Sequence, residues 1–313
     1  MRPLSFSTLD THYLGIARTA LAFVVHAPEG PVLVECGTAV SFEPLCAQLA
    51  ALGIAPRDLR ALFVTHIHLD HAGAAGHFAR EGVPVFVHPR GARHLAEPSR
   101  LIAGSRAVHG ARYERFYGDP LPIAPELLRA VEDGTDLEVA GLRFHALETP
   151  GHARHHHAWV VRGEPDANAA PLVFTGDVLA MISPDSSFIS IPVPPSDIDI
   201  PAWSRSVARL RALPRDARAI LTHGGERALG DHLDAFVARM HLELPLLARL
   251  APLSASDPAA ADAEYRDFLL PLARSAGVSD DLAHALLGKA FRAMNLAGVR
   301  QAIEAGLFAE RVE

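Results

Sequence analysis

The sequence VTHIHLDHAG, residues 64–73, places three histidines and one aspartate within six positions. It continues from RALFVT, an apolar run that predicts a short buried strand. Zinc and similar ions take imidazole nitrogen and carboxylate oxygen as ligands in proteins. His66 and His68 leave the predicted strand two residues apart, and Asp70 and His71 begin the helix that follows. This single segment can therefore supply ligands to two adjacent metal positions.

Three further candidate ligands each lie at the end of a predicted strand. His152 lies in LETPGHARHH, Asp177 in LVFTGDV, and His223 in AILTHGG. In sheets that alternate with helices, ligands and catalytic groups gather at the strand ends. The shared position strengthens the metal-binding interpretation beyond what any single histidine would support.

The order of elements predicts a layered fold of strands and helices. TALAFVVHAP, PVLVECG, RALFVT and VPVFVHP are predicted strands, and EPLCAQLAALGI is a predicted helix that ends at Gly53. Residues 91–133 are predicted to be helical, either as an insertion near the site or as a plain surface excursion. Strands resume with TDLEVAGLRFHALETPGH, HHAWVV and PLVFTGD. We expect a catalytic domain at 1–229 and a C-terminal helical region at 230–313.

Composition and charge narrow the classes of partner. The chain has 313 residues, a formal net charge of −7 and a mean hydropathy of +0.15. This acidic balance argues against a nucleic-acid or membrane surface and favours a small-molecule substrate. Two cysteines are too few for a disulfide framework, and no apolar leader or membrane-length segment is evident. We therefore expect a cytoplasmic protein.

The His-x-His-x-Asp-His motif, the later Gly-His and Gly-Asp pairs and the late histidine resemble the metallo-beta-lactamase superfamily over residues 15–228. The resemblance implies an α+β fold, the αββα sandwich of two packed sheets flanked by helices, with a C-terminal helical extension. It also implies two divalent metal ions, with zinc expected and iron or manganese as alternatives. The implied ligand set assigns His66, His68 and His152 to one metal, Asp70, His71 and His223 to the other, and Asp177 to a bridge between them.

The same resemblance implies a hydrolase in which a metal-bridging hydroxide attacks the carbonyl of an ester, thioester or lactone. Asp70 would be the catalytic residue, both binding a metal and orienting the nucleophile or moving its proton. No serine or cysteine nucleophile is needed for this chemistry. We therefore interpret Cys36 and Cys46 as small apolar residues.

Departures from known branches of the superfamily bear on the substrate. Glyoxalase II enzymes are similar in motif and in their C-terminal helices, but GDVLAMISPDSSF lacks the basic residues that bind glutathione in them. Acyl-homoserine lactonases use a tyrosine after the bridging aspartate, and residues 178–190 contain none. The chain looks most like uncharacterised glyoxalase II-like hydrolases that carry DTHYLG and THIHLDHAG. A mononuclear-iron oxidoreductase resembling persulfide dioxygenases stays the alternative, although the Arg-bearing segment of that branch is also absent.

Several weaker candidates lie outside the seven ligands. We weigh substrate contact against an ordinary structural role, and favour structure, for Tyr113, Tyr117, Arg112 and Arg115. The residues after Asp177 that we expect near the pocket are Ser186, Ser187 and Phe188. We weigh a supporting contact to a metal ligand against a structural role at a strand start, and favour structure, for His155, His156 and His157. The apolar faces of the C-terminal helices must be buried. They can be buried against the sandwich, as one wall of the substrate pocket, or in a homodimer interface.

Overall fold

The computed structural model of the chain describes residues 4–163 and 170–312. The chain divides into two compact units. The first spans Met1–Glu148, His155–Gly176 and Asp216–Ala228, and the second spans Thr149–Arg154, Asp177–Arg215 and Leu229–Glu313. Five of the seven predicted ligands belong to the first unit, whereas His152 and Asp177 belong to the second.

The first unit contains two six-stranded sheets. The strands of one sheet, in spatial order, are β1 (Phe6–Asp10), β2 (Leu21–Val25), β3 (Val32–Val34), β4 (Ala61–Phe63), β5 (Val85–Val87) and β6 (Leu128–Ala130). The first two pairings are antiparallel, and the pairings from β3 to β6 are parallel. The parallel strands β3 and β4 consequently end side by side, with Val34 opposite Phe63.

The other sheet is antiparallel apart from one parallel pair. Its strands along the chain are β7 (Asp136–Val139), β8 (Leu142–Glu148), β9 (His157–Arg162), β10 (Leu172–Phe174), β13 (Arg218–Leu221) and β14 (Gly225–Ala228). Strands β11 and β12 belong to the second unit and are described below. In space they follow the order β14-β13-β10-β9-β8-β7, and only β10 and β13 run parallel.

Alternating side chains of β3 and β4 bury both faces of the first sheet. Val34 and Phe63 belong to the apolar core between the two sheets, whereas Leu33 and Leu62 belong to a second core on the helical side. Because both faces are buried, the sequences of these strands are continuous apolar runs in which apolar and polar residues do not alternate.

Aromatic rings fill the space between the two sheets. The ring of Phe63 stacks on Phe144 at 4.2 Å and on Phe86 at 4.6 Å, and Trp159 meets it edge-on at 4.8 Å. The indole nitrogen of Trp159 donates to the Val64 carbonyl oxygen at 3.0 Å. The polar end of the indole is thereby satisfied inside an apolar core.

The helices of the first unit are α1 (Phe42–Ala51), α2 (Leu69–Ala72), α3 (Ala75–Arg80), α4 (Pro89–Ala96), α5 (Ser99–His109) and α6 (Tyr113–Phe116). Apolar residues of α1 to α4 belong to the core on the outer face of the first sheet. Gly53 caps the C-terminus of helix α1, as predicted, with a φ of 74°. Its amide donates to the Ala50 carbonyl oxygen, and the Ile54 amide donates to the Leu49 carbonyl oxygen. Residues 91–133 are largely helical as expected, but they also contain strand β6, which the sequence analysis did not predict.

The second unit is mainly helical. Its elements are the short hairpin β11 (Met181–Ile182) and β12 (Ile189–Ser190), then α7 (Ile200–Arg211), α8 (Leu229–Ser256), α9 (Pro258–Ser275), α10 (Asp280–Leu286) and α11 (Lys289–Glu304). The apolar faces of α8, α9 and α11 pack on one another. A homodimer through these helices stays a prediction.

The predicted α+β fold with two sheets, outer helices and a C-terminal helical extension is confirmed. Strands β1, β6 and β14 were not predicted, because short or partly polar edge strands carry little periodic signal. None of the helices in residues 4–163 and 170–312 combines the length and apolar content needed to cross a membrane.

The stacked core predicts a large loss of stability on truncating Phe63. Because Phe63 is fully buried between the sheets, Phe63→Ala should lower the free energy of unfolding by about 3–5 kcal/mol. Val108→Ala is the control, since Val108 is 61% exposed and should change stability by less than about 0.5 kcal/mol. Urea unfolding followed by circular dichroism measures both. Equal effects would show that Phe63 does not anchor the core.

Candidate metal centre

Five of the predicted ligands converge in the first unit. His66 follows β4, His68 precedes the first residue of α2, and Asp70 and His71 lie within that one-turn helix. His223 lies between β13 and β14. The imidazole rings of His66 and His71 lie 4.0 Å apart, and those of His71 and His223 lie 5.2 Å apart. The structure thus brings side chains from two separate segments of the sequence into one cluster.

The spacing of the donor atoms suits a tetrahedral metal ion. His223 Nε2 lies 3.3 Å from His71 Nε2 and 3.5 Å from Asp70 Oδ2. Ligand bonds of about 2.0–2.1 Å in tetrahedral geometry place donor atoms about 3.3–3.4 Å apart. His66 Nε2 and His68 Nδ1 approach each other at 2.9 Å. Asp70, His71 and His223 can therefore hold one ion, and His66 and His68 offer two donors to another.

The outer nitrogens of two of these histidines face oxygen acceptors. His71 Nδ1 lies 3.4 Å from Glu35 Oε1, and His223 Nδ1 lies 2.5 Å from the Thr19 carbonyl oxygen. A carbonyl oxygen can only accept, so the His223 proton is placed on Nδ1, and the carboxylate beside His71 Nδ1 favours the same tautomer there. This tautomer presents the Nε2 lone pair to a metal and fixes the orientation of the ring.

Glu35 also holds His66 through a threonine. Thr65 Oγ1 donates to Glu35 Oε1 at 2.5 Å, so it can accept from His66 Nδ1, which lies 3.1 Å away. Thr222 Oγ1, beside His223 in the chain, donates to the same Glu35 oxygen at 3.4 Å. The buried carboxylate of Glu35, which follows β3, therefore accepts hydrogen bonds from residues that follow β4 and β13 and lies beside the His71 ring.

The sequence analysis missed Glu35. It lies in PVLVECG directly after β3, is 1% exposed and adopts a left-handed backbone with a φ of 62°. A buried, strained, charged residue at a strand end is typical of a functional site. A glutamate directly after a fully apolar strand was the available signal in the sequence, but one acidic residue beside a turn is too common to be decisive.

The other two predicted ligands meet in the second unit. His152 Nε2 lies 3.5 Å from Asp177 Oδ2, and both side chains are buried. His152 Nδ1 faces the Pro192 carbonyl oxygen at 3.2 Å, which selects the tautomer that leaves Nε2 as the donor atom. The His152 ring also lies edge-on to the Trp203 ring, with the ring centres 6.0 Å apart. The preceding residue is a glycine packed against Trp203, since a Cβ on Gly151 would lie 2.4 Å from the Trp203 Cβ. This pair thus has the same donor chemistry as the cluster of the first unit.

Two tyrosines of the first unit lie beside the metal-binding cluster. The hydroxyls of Tyr13 and Tyr117 are 2.7 Å apart, and the Tyr13 ring lies 6.1 Å from the His223 ring. Burial and the neighbouring Asp70 carboxylate raise the pKa of Tyr117 above its ordinary value. A neutral hydroxyl beside Asp70 can donate a hydrogen bond to a substrate oxygen. Tyr13, in the DTHYLG motif, was not singled out from the sequence.

The weaker candidates have mainly structural contacts. Arg112 and Arg115 are exposed, and Tyr113 is buried and donates to Asp119. Ser186 Oγ donates to the Ser183 carbonyl oxygen, the Ser187 amide donates to Ala276, and Phe188 lies under the Arg239 guanidinium. The sequence analysis placed three adjacent histidines at a strand start, but of these only His157 begins β9, and the loop before it contains His155 and His156.

The cysteines are not placed for nucleophilic catalysis. Burial, reinforced by the Glu35 carboxylate, raises the pKa of the Cys36 thiol well above its ordinary value. Burial also raises the pKa of Cys46 to about 11. Because the thiolate is the reactive form, neither group is an activated nucleophile at neutral pH.

The family comparison agrees with this geometry. The model of the metallo-beta-lactamase superfamily matches residues 16–223. A hydroxyacylglutathione hydrolase from Pseudomonas paraeruginosa is 30% identical over 165 residues, which are 53% of this chain and 47% of that protein. One from Albidiferax ferrireducens is 27% identical over 157 residues, 50% of this chain and 46% of that protein. The chain thus spans about half the length of the curated relatives it matches.

Solved structures show the same fold. An archaeal metallo-beta-lactamase superfamily protein from Sulfolobus tokodaii superposes with a TM-score of 0.67 at 20% identity, covering 95% of this chain and 98% of its own. A metallo-beta-lactamase family protein from Thermus thermophilus gives 0.64 at 23% identity, covering 98% of this chain and 95% of its own. Both matches extend over the C-terminal helices, as their coverage of this chain requires.

The contacts of Glu35 predict a role in metal affinity. Glu35→Gln keeps the size of the side chain but removes the charge that polarises His71, so the affinity for zinc should fall roughly 10–100-fold. Titration of metal-stripped protein against a chromophoric chelator measures it. Glu226→Gln is the control, because it also removes one carboxylate charge from the first unit, but the Glu226 side chain bonds Arg218. Unchanged affinity in Glu35→Gln would contradict the assigned role.

Proposed function

The chain belongs to the metallo-beta-lactamase superfamily, and from that membership we propose that it is a metal-dependent hydrolase of small-molecule esters, thioesters or lactones. The observation that carries the proposal is the convergence of Asp70, His71 and His223 at tetrahedral ligand spacing. Relatives named hydroxyacylglutathione hydrolase support the reaction class, since their name describes cleavage of a thioester.

We propose that the centre is dinuclear. Asp70, His71 and His223 would hold one ion, His66, His68 and His152 would hold the other, and Asp177 would be the ligand shared by the two. Zinc is the expected metal, because imidazole and carboxylate donors at these spacings suit it. The support within each unit is the convergent donor atoms and the acceptor oxygens that fix the histidine tautomers.

Within this proposal, the bound ions supply Lewis-acid polarisation of the substrate carbonyl and lower the pKa of a coordinated water. Asp70 is the catalytic residue, because its side chain is partly exposed whereas those of His71 and His223 are buried. Its carboxylate would orient the attacking water, accept its proton and pass that proton to the alcohol or thiol that leaves as the acyl C–O or C–S bond breaks. The Tyr117 hydroxyl, paired with Tyr13, donates to the oxygen that gains negative charge.

The side chains expected near the site favour a small substrate that does not need an anionic group to be bound by a basic residue. The segment after Asp177 contains no lysine or arginine through Phe188, and Arg112 and Arg115 point to solvent as exposed residues. This pattern favours an ester, thioester or lactone other than a glutathione conjugate. A glutathione thioester is the informative comparison substrate, because the curated relatives are named for it.

Metal content and hydrolysis together test this function. Protein purified without added metal should contain two ions per chain, and chelation should abolish hydrolysis of its best substrate among esters, thioesters and lactones. His68→Ala should lose metal and reduce kcat/KM by about 10³-fold or more. His145→Ala is the control, since His145 pairs with Asp136 away from the cluster.

Elemental analysis also distinguishes the alternative chemistry. A single iron per chain, with oxygen consumption on a persulfide and no hydrolysis, would overturn the hydrolase proposal in favour of an oxidoreductase. Two ions with hydrolysis that survives in His68→Ala would refute the assigned ligand set instead.

Tyr117 provides a separate prediction about the reaction. Tyr117→Phe should lower kcat by roughly 10-fold or more, because it removes a donor aimed at developing charge, and metal content should stay unchanged. Tyr113→Phe removes a hydroxyl that bonds Asp119 instead and should leave kcat near the wild-type value. Steady-state kinetics and elemental analysis of both variants provide the test. Equal kcat values in the two variants would rule out a catalytic role for the Tyr117 hydroxyl.

A further inference from the structure

Helix α11 meets the proline-rich segment Ile191–Ser196 through three positions on one of its faces. Asn295, Gly298 and Gln301 are spaced three residues apart, so their side chains project in nearly the same direction. Each of the three contacts or closely approaches the backbone of the segment, and all of these residues belong to the second unit.

The hydrogen-bond donors of the segment match the acceptors on the helix. In the sequence IPVPPS three of the six residues are prolines, which have no amide hydrogen. Val193 N donates to Asn295 Oδ1 at 2.9 Å, and Ser196 N donates to Gln301 Oε1 at 2.8 Å. Both amides that follow a proline in this segment are thus satisfied by side chains of α11.

Asn295 holds the segment on both sides of Pro192. While its Oδ1 accepts from Val193, its Nδ2 donates to the Ile191 carbonyl oxygen at 2.8 Å. An amide donor on one side and a carbonyl acceptor on the other determine which way the Asn295 amide faces. Gly298 allows the close approach, because a Cβ there would lie 2.0 Å from the Val193 carbonyl oxygen.

The residue held in this way is the one whose carbonyl oxygen orients His152. Pro192 O accepts from His152 Nδ1 at 3.2 Å. We propose that Asn295, through the backbone of residues 191–193, is a positioning residue for the metal ligand His152. The C-terminal helix thereby sets the direction of the His152 Nε2 lone pair without touching the imidazole ring itself.

A buried polar chain keeps Asn295 from turning away. Its Nδ2 also donates to the Tyr265 hydroxyl at 2.9 Å, Tyr265 donates to Glu243, and Glu243 pairs with Arg239 at 2.8 Å. Asn295, Tyr265 and Glu243 are each completely buried. A fully buried amide with partners on both ends has one low-energy orientation. Asn295 is therefore rigid enough to position its neighbours.

The proposal rests on the proposed metal centre, since His152 must be a ligand for its orientation to affect binding. The experiment is a zinc titration of the metal-stripped full chain against a chromophoric chelator. His152→Ala first identifies the binding event that depends on His152. Asn295→Ala should weaken that event roughly 10–100-fold and leave the other zinc unaffected. The Co(II)-substituted protein should show an altered d–d absorption band for the same site, because the ligand geometry changes.

Two further variants separate positioning from general destabilisation. Leu269→Ala removes a buried apolar side chain of α9 in the same unit but leaves every hydrogen bond of Asn295 in place, so it should lower Tm without weakening zinc binding. Gly298→Ala pushes the segment away without deleting a polar group, so it should weaken the His152-dependent site as Asn295→Ala does. It keeps the test available if Asn295→Ala does not fold.

Three results would overturn the inference or its premise. Zinc binding and the Co(II) spectrum unchanged in Asn295→Ala or Gly298→Ala would refute the positioning role while the metal centre stands. An equal loss of zinc affinity in Leu269→Ala would show that only global stability matters. A wild-type chain that binds no zinc, or that loses none in His152→Ala, would overturn the proposed centre itself.

Discussion

Each buried imidazole in the candidate metal centre needs an oxygen acceptor on its outer nitrogen, and much of the surrounding structure provides one. The acceptor is a carboxylate for His71, a threonine hydroxyl for His66 and a main-chain carbonyl for His223. Without these partners neither tautomer of the imidazole would be favoured, and a buried ring nitrogen would lack a hydrogen bond. Glu35 supports two of the rings at once, which explains why a left-handed backbone is tolerated at that position.

The two units meet this requirement in different ways. In the first unit, parallel strands β3 and β4 end side by side. Glu35 and Thr65, which follow these strands closely, therefore meet in a hydrogen bond without a long loop. In the second unit, the acceptor for His152 is the carbonyl oxygen of Pro192, in a segment too rich in proline to join a sheet. That segment depends on side chains of α11 for its hydrogen bonds. The C-terminal helices therefore hold the carbonyl oxygen that faces His152, a proposed ligand more than one hundred residues earlier in the chain.

Sequence patterns predicted the elements whose signal is local. The apolar runs of β2 to β5, the helix that ends at Gly53 and the order of the metal-binding motifs all follow from residue type and spacing. The edge strands β1, β6 and β14 were missed, since pairing with a distant neighbour decides whether a three- to five-residue stretch is extended. Asn295 was missed for a related reason: an asparagine in a helix has no sequence pattern that reveals which backbone it bonds.

The sequence by itself determined the donor chemistry, because histidines and aspartates at fixed spacing after apolar strands define which atoms can bind a metal. Its apolar runs also predicted a layered fold of strands and helices, and the resemblance of its motifs to the superfamily implied the two-sheet sandwich. Only the tertiary structure decided how each donor is oriented. Orientation depends on acceptors such as Glu35 Oε1 and Pro192 O, which lie about thirty to forty residues away in sequence from the histidines they hold. Hydrogen bonds between such distant residues form only when the chain has folded, so no local pattern encodes them.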